Sequence, residues 1–100
     1  MRRHEYFVYI LTNQNKTVLY VGMTNDLSRR LSEHTDKYNP EGFTAKYKCK
    51  FLLHRESYQY VRDAIAREKE IKKWRREKKE KLISENNPNW DILNREVMED

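Results

Sequence analysis

Tyr6-Phe7-Val8-Tyr9-Ile10-Leu11 and Thr17-Val18-Leu19-Tyr20-Val21-Gly22 are two runs of β-branched, aromatic and aliphatic residues, separated by the polar stretch Asn13-Gln14-Asn15-Lys16. Such runs favour extended backbone, and a short polar break between them favours a hairpin. If those four residues form the loop, Thr12 faces Thr17, Leu11 faces Val18 and Tyr9 faces Tyr20. Opposed residues share one face of a sheet, so this register stands the two phenols side by side. A slip of one residue would send them to opposite faces.

Working outward, Thr24-Asn25-Asp26 offers an N-cap, and Leu27, Leu31 and His34 follow at helical spacing. They predict a short first helix with Arg30 at the border of its buried stripe. Tyr38 to Lys46, containing Asn39-Pro40-Glu41-Gly42, reads as a loop, and Lys50-Phe51-Leu52-Leu53-His54 as a third strand. The longest helix is expected from about Tyr60 to Ser84, with Val61, Ala64, Ile65, Ile71, Trp74 and Leu82 marking one face. Asn86-Asn87-Pro88 stops it, and Trp90, Ile92, Leu93 and Val97 suggest a short closing helix or a packed tail. The expected fold class is α+β: an α/β sandwich with a three-stranded antiparallel sheet flanked by helices.

The totals bound this reading. The chain has 100 residues, 37% hydrophobic and 37% charged, with two Gly and two Pro. A chain of that length buries roughly 60 to 65% of its unfolded surface, enough for one domain over residues 1–100 but not two. Net charge is +5, and the segment from Arg62 to Lys81 holds ten Lys or Arg against five Asp or Glu, which accounts for the entire excess. Concentrated positive charge points toward a polyanionic partner. Cys49 is the single cysteine, so no intrachain disulfide can form, and a reducing cytoplasmic home is expected. His4, His34 and His54 are too dispersed for a zinc pattern. No apolar run is long enough to span a membrane, so no membrane partner is expected.

Glu68 falls inside the apolar stripe of the long helix, four residues after Ala64 and three before Ile71. A buried ionised carboxylate needs compensation, because an unpaired one costs several kcal/mol. A metal ion is one form of compensation. A rim position with a partner such as Arg30 or Lys72 is another, and helical spacing does not choose between them.

Four ordered stretches resemble the GIY-YIG nuclease family. Val8-Tyr9-Ile10 and Leu19-Tyr20-Val21-Gly22 are similar to its two name-giving elements, although Phe7 stands where the name has Gly. Asn25-Asp26-Leu27-Ser28-Arg29-Arg30-Leu31-Ser32-Glu33-His34 resembles its first helix, whose arginine falls on Arg30. Ala64-Ile65-Ala66-Arg67-Glu68-Lys69-Glu70-Ile71-Lys72-Lys73-Trp74 resembles the small stand-alone bacterial members, whose metal-binding glutamate falls on Glu68. The likeness spans about Tyr6 to Leu93. A family asparagine near the carboxyl end has Asn89 and Asn94 as candidates.

The resemblance implies a metal-dependent endonuclease acting on DNA, and the chemistry agrees with it. Phosphodiester hydrolysis needs a deprotonated water, neutralised charge on phosphorus and a stabilised leaving oxygen. Glu68 would hold one Mg²⁺ or Mn²⁺, since no second acid is similarly placed. Arg30 would grip the phosphate with its planar fork. Tyr9 or Tyr20 would be the general base, which requires nearby cations to lower a phenol that ordinarily titrates near 10. His34 would relay the proton. Lys46 together with Lys69, Lys72, Lys73, Arg75 and Arg76 would meet backbone phosphates. One small module makes few base contacts, so specificity would be weak, structure-directed, or supplied by a protein partner or a homodimer. The rival reading is a nucleic-acid-binding module of the same fold that does not cut.

Overall fold

The computed structural model describes residues 5–35 and 48–98, with the side chains of His34 and Thr35 excepted. The α+β class is the one observed. Strands β1 (Tyr6–Thr12), β2 (Leu19–Thr24) and β3 (Phe51–Tyr58) form one antiparallel sheet in the order β2-β1-β3. Helices α1 (Leu27–Thr35), α2 (Val61–Lys72), α3 (Arg76–Asn86) and α4 (Asn94–Met98) complete the described fold.

Strand alternation divides the interior into two layers. Val8, Ile10, Val21 and Leu53 face α2 and α3, where Ala64, Ile71 and Ile83 complete one core. Tyr9, Leu11 and Leu52 face the other way, onto Leu27 and Leu31 of α1 and Leu93 and Val97 around α4.

The hairpin register differs from the expected one by two residues. Tyr9 pairs with Gly22 and Leu11 with Tyr20. The cause is the Asn13 side chain, whose Oδ1 accepts from the backbone of Thr17 at 2.8 Å and of Val18 at 3.0 Å. Lys16 completes the loop in a left-handed conformation at φ 58°. Val18 is therefore absorbed into the loop, and the ladder begins at Leu19. Because strand side chains alternate with period two, a two-residue shift leaves both tyrosines on one face.

The expected helix over residues 60–84 is two helices. Lys73 and Trp74 close α2 with tight turns back to Glu70 and Ile71, and Arg75 is extended before α3 starts. At 100° per residue an unbroken helix would aim Ile83 about 120° away from Ile71, while keeping Leu82 in phase. The break re-aims the chain so that Ile83 is fully buried and Leu82 only partly so. Trp74 sits at the joint, with the Arg67 guanidinium 5.1 Å and the Lys78 ammonium 4.4 Å from its ring centre.

Strand β3 is also longer than the expected Lys50–His54. It carries a bulge at Leu53, between the pairs Ile10 with His54 and Leu11 with Leu52. Bulges disrupt the ladder locally. Here the buried Asn87 side chain donates to the Leu53 carbonyl at 3.1 Å. Asn94 secures the start of β3, accepting from the Leu52 amide at 2.7 Å and donating to the Lys50 carbonyl at 2.9 Å. Both asparagines hold the backbone, and Asn89 is exposed.

Candidate active site

Asp26 caps α1 as its sequence suggests, its carboxylate accepting from the Arg29 amide at 3.1 Å. That cap and the buried Leu27 and Leu31 fix the helix rotation, leaving Arg30 half-buried. The Arg30 Nε is buried with no hydrogen-bond partner among the described residues, while Nη1 lies 3.5 Å from Glu33. An unsatisfied buried donor on a guanidinium is costly, and an arriving anion would remove the cost.

Tyr9 is 2% exposed, and its ring runs across its cross-strand partner Gly22. A Cβ at Gly22 would sit 2.5 Å from both Cζ and the hydroxyl of Tyr9. The glycine is therefore a space requirement imposed by the tyrosine. Tyr20, half-buried on the same face, has its ring centre 6.3 Å from that of Tyr9.

Helix α2 comes to the site from the other side of the sheet. The buried Ala64 and Ile71 define its core-facing seam, and Arg67 and Glu68 flank that seam on opposite sides. Arg67 reaches β3, where its Nε and Nη2 meet the two carboxylate oxygens of Glu56 at 2.9 and 3.1 Å. Glu68 turns the other way, and its charge acts on the Tyr9 phenol together with those of Arg30 and Glu33. Tyr20, Arg30 and Glu68 thus all lie near enough to Tyr9 to act on its phenol. The Glu68 side chain is 21% exposed and lies 3.6 Å from Lys72, so it combines the rim position with proximity to the phenol.

The electrostatics correct one expectation. Burial, and after it Tyr20, push the Tyr9 phenol well above its ordinary value; Arg30 pulls it down, but Glu68 and Glu33 push it up again. Among the groups of the chain itself, desolvation prevails over the cation, and Tyr9 stays protonated.

Among the described residues no three His, Cys, Asp or Glu cluster in a way that could hold a metal ion. A hard cation with one carboxylate needs no such cage, because Mg²⁺ retains several waters and takes phosphate oxygens as ligands. Glu68 fits that donor set. Lys46 and the His34 side chain lie outside the described residues. Lys69, Lys72, Lys73 and Arg75 are exposed, on or just beyond α2. Arg76 belongs to α3, where it donates to the carbonyls of Thr17 at 2.6 Å and Lys16 at 3.2 Å and to Glu80 at 2.6 Å. The basic residues thus do not make one continuous arc. A cleft beside α1, lined by Phe7, Ser28, Arg55 and Glu96 among others, contains none of Tyr9, Tyr20, Arg30 and Glu68.

Residues 5–81 match the model of the GIY-YIG catalytic domain. The chain belongs to the GIY-YIG family. Among its relatives, a UPF0213 protein of Bacillus velezensis is 38% identical over 89 residues, covering 85% of this chain and 84% of that one. A UPF0213 protein of Natronomonas pharaonis is 35% identical over 81 residues, with 81% and 93% coverage. The solution NMR structure of a UPF0213 protein from Bacillus halodurans resembles this GIY-YIG fold with a TM-score of 0.56 at 27% identity, over 86% of this chain and 89% of that one. Sequence reasoning singled out Tyr9, Tyr20, Arg30 and Glu68 in this GIY-YIG chain but did not single out Glu56 and Arg67. Their signal was present only as an ordinary acid in a strand and an ordinary arginine beside Glu68.

Proposed function

We propose that this GIY-YIG protein is a metal-dependent endonuclease that hydrolyses phosphodiester bonds of DNA. One observation carries the reading: the phenol of Tyr9 lies under the combined influence of Tyr20, Arg30 and Glu68, which reach it from one neighbouring strand and two helices. A surface that only binds a phosphate backbone needs cations. It has no use for a carboxylate beside a buried phenol.

Glu68 would hold a single Mg²⁺ or Mn²⁺, and the ion when bound would supply charge neutralisation at the leaving oxygen. Arg30 grips the scissile phosphate, giving its unsatisfied Nε an acceptor. Tyr9, held protonated by burial, donates a hydrogen bond and orients the reacting groups. Tyr20, the more exposed phenol, is then the group that takes the proton from water. This division predicts that Tyr20→Phe loses the base-limited arm of the pH–rate profile. Tyr9→Phe lowers the rate and keeps that arm; the reverse pattern would exchange the two roles.

The decisive assay incubates supercoiled plasmid and branched DNA with purified protein and Mg²⁺ or Mn²⁺, beside Glu68→Ala and Arg30→Ala. Each variant is expected to lose about 10²-fold or more in rate, the scale of removing one preorganised charge-stabilising group. Wild-type protein that binds but never cuts would make this a binding module. Equal cutting by Glu68→Ala would dismiss the proposed site.

A further inference from the structure

Large apolar side chains remain exposed where α2 begins: Tyr60 at 58%, Val61 at 42% and Ile65 at 37%. Helix phase ties them to the site. At 100° per residue, Glu68, Val61, Lys72, Ile65, Lys69 and Arg62 succeed one another within an arc of about 120°. The carboxylate assigned above to the metal therefore shares a strip with two uncovered aliphatic side chains, and three cations border them. Tyr60 directly precedes Val61 at the end of the strip.

We infer that this strip takes unpaired bases of the nucleic-acid substrate, so that the preferred DNA presents single-stranded nucleotides next to the scissile bond. The inference rests on the nuclease reading above. The argument is one of complementarity. Arg62, Lys69 and Lys72 suit phosphates, but Tyr60, Val61 and Ile65 suit an apolar surface, and a stacked duplex turns its base faces inward. A splayed strand offers anionic backbone and naked base faces together, and stacking on an aromatic side chain tolerates any base. A protein docking here would have to match three cations around a small apolar centre.

The test uses the full chain in EDTA, which suspends cutting, with a 20-nucleotide strand carrying 2-aminopurine and the same sequence as a blunt duplex. Charge alone favours the duplex, which offers the denser phosphate array. The wild type is expected to bind the single strand about tenfold more tightly, with quenching of 2-aminopurine, within the range that base stacking supplies. Tyr60→Ala and Ile65→Ser are expected to bring the ratio toward one, and Tyr60→Trp to keep it. Circular dichroism checks that the variants are folded. A wild-type ratio of one or less overturns the inference, as does a ratio the variants leave unchanged. So does a sedimentation profile in which the wild type is a dimer that Ile65→Ser dissociates. None of these results touches the nuclease reading, which stands or falls on whether Glu68→Ala still cuts plasmid.

Discussion

Helix α2 has a carboxylate against each flank, Glu56 on one side and Glu68 on the other, and the two differ in how completely their charges are satisfied. On the Arg67 side, Glu56 accepts from the Tyr58 hydroxyl at 2.6 Å and from the Arg67 guanidinium twice, and lies 2.8 Å from His54 Nε2. Arg67 also reaches Glu70 at 2.7 Å and stacks on Trp74. On the other side, the ion pair of Glu68 among the described residues is with the exposed Lys72. A carboxylate ringed by fixed donors has no capacity left for a ligand, so its contribution is to the fold. A carboxylate left with one loose partner beside a buried phenol retains that capacity. The Glu56 flank also fixes the rotation of α2, which determines where Glu68 points.

The sharpest way to break the comparison is to exchange the losses. Glu56→Ala would leave Arg67, His54 and Tyr58 facing a missing acceptor. Breaking a buried pair costs 3–5 kcal/mol, and partial exposure of both partners reduces this to about 2–3. Glu68→Ala should leave the urea midpoint nearly unchanged while removing activity. Acid should act on the same side. Burial alone would raise the Glu56 carboxyl, but hydrogen bonds from His54, Arg67 and Tyr58 hold it far below its ordinary 4.5. The carboxylate therefore stabilises the fold fully above about pH 4.5, and this contribution fades as pH falls below that value. The phenol of Tyr58, pushed up to about 12 first by burial and then by its bond to Glu56, stays protonated across the range. The stability gap between wild type and Glu56→Gln should be constant from pH 8 to 5 and narrow toward pH 3. A gap that widens in acid would mean that Glu56 is not the anchored charge.

These two flanks were unequally legible in the sequence. Tyr9, Tyr20, Arg30 and Glu68 sit at fixed positions within short ordered motifs, and strand period and helix phase suffice to give each a face. The two-residue error in hairpin register did no harm, because period two protects the face of a residue against even shifts. The unbroken helix was a costlier error: Leu82 stays in phase across the joint, so the periodic pattern conceals a break that only burial of Ile83 reveals. Glu56 and Arg67 are 11 residues apart on different elements, and nothing local distinguishes their pairing from that of any other acid and base. Asn87 was similarly hidden, since its role depends on a bulge created by tertiary pairing.

A smaller effect sharpens the comparison on the site side. Gly22→Ala puts a Cβ against the phenol of a ring that is 2% exposed, and overpacking of this kind costs about 1–3 kcal/mol. Cleavage should fall as well, because the displaced ring is one of the convergent groups. The cost belongs to the ring and not to the backbone, for Gly22 does not have a positive φ. In a Tyr9→Leu background, where the colliding atoms are gone, Gly22→Ala should cost much less. A double-mutant cycle measured by urea unfolding reads the difference. Additive costs would show that the glycine serves the strand and not the tyrosine.

The smallest expected effect extends the rule from carboxylates to cations. Arg76 donates to two loop carbonyls and to Glu80, and so resembles Glu56 in being committed to the fold. Lys73 is exposed, with no ion pair among the described residues, and so is even less committed to the fold than Glu68 with its one loose partner. Arg76→Ala should therefore cost about 1 kcal/mol of stability, the net worth of an ordinary hydrogen-bond set at the surface, and leave the salt dependence of DNA binding unchanged. Lys73→Ala should do the opposite, leaving stability unaltered and lowering the log–log salt slope by about 0.9 for one lost phosphate contact. Titrations at several salt concentrations, paired with urea curves for both variants, separate the two. If Arg76→Ala alone flattened the salt slope, its bonds to Lys16 and Thr17 would be exchangeable for phosphate, and saturation in the free protein would no longer distinguish a structural charge from a functional one.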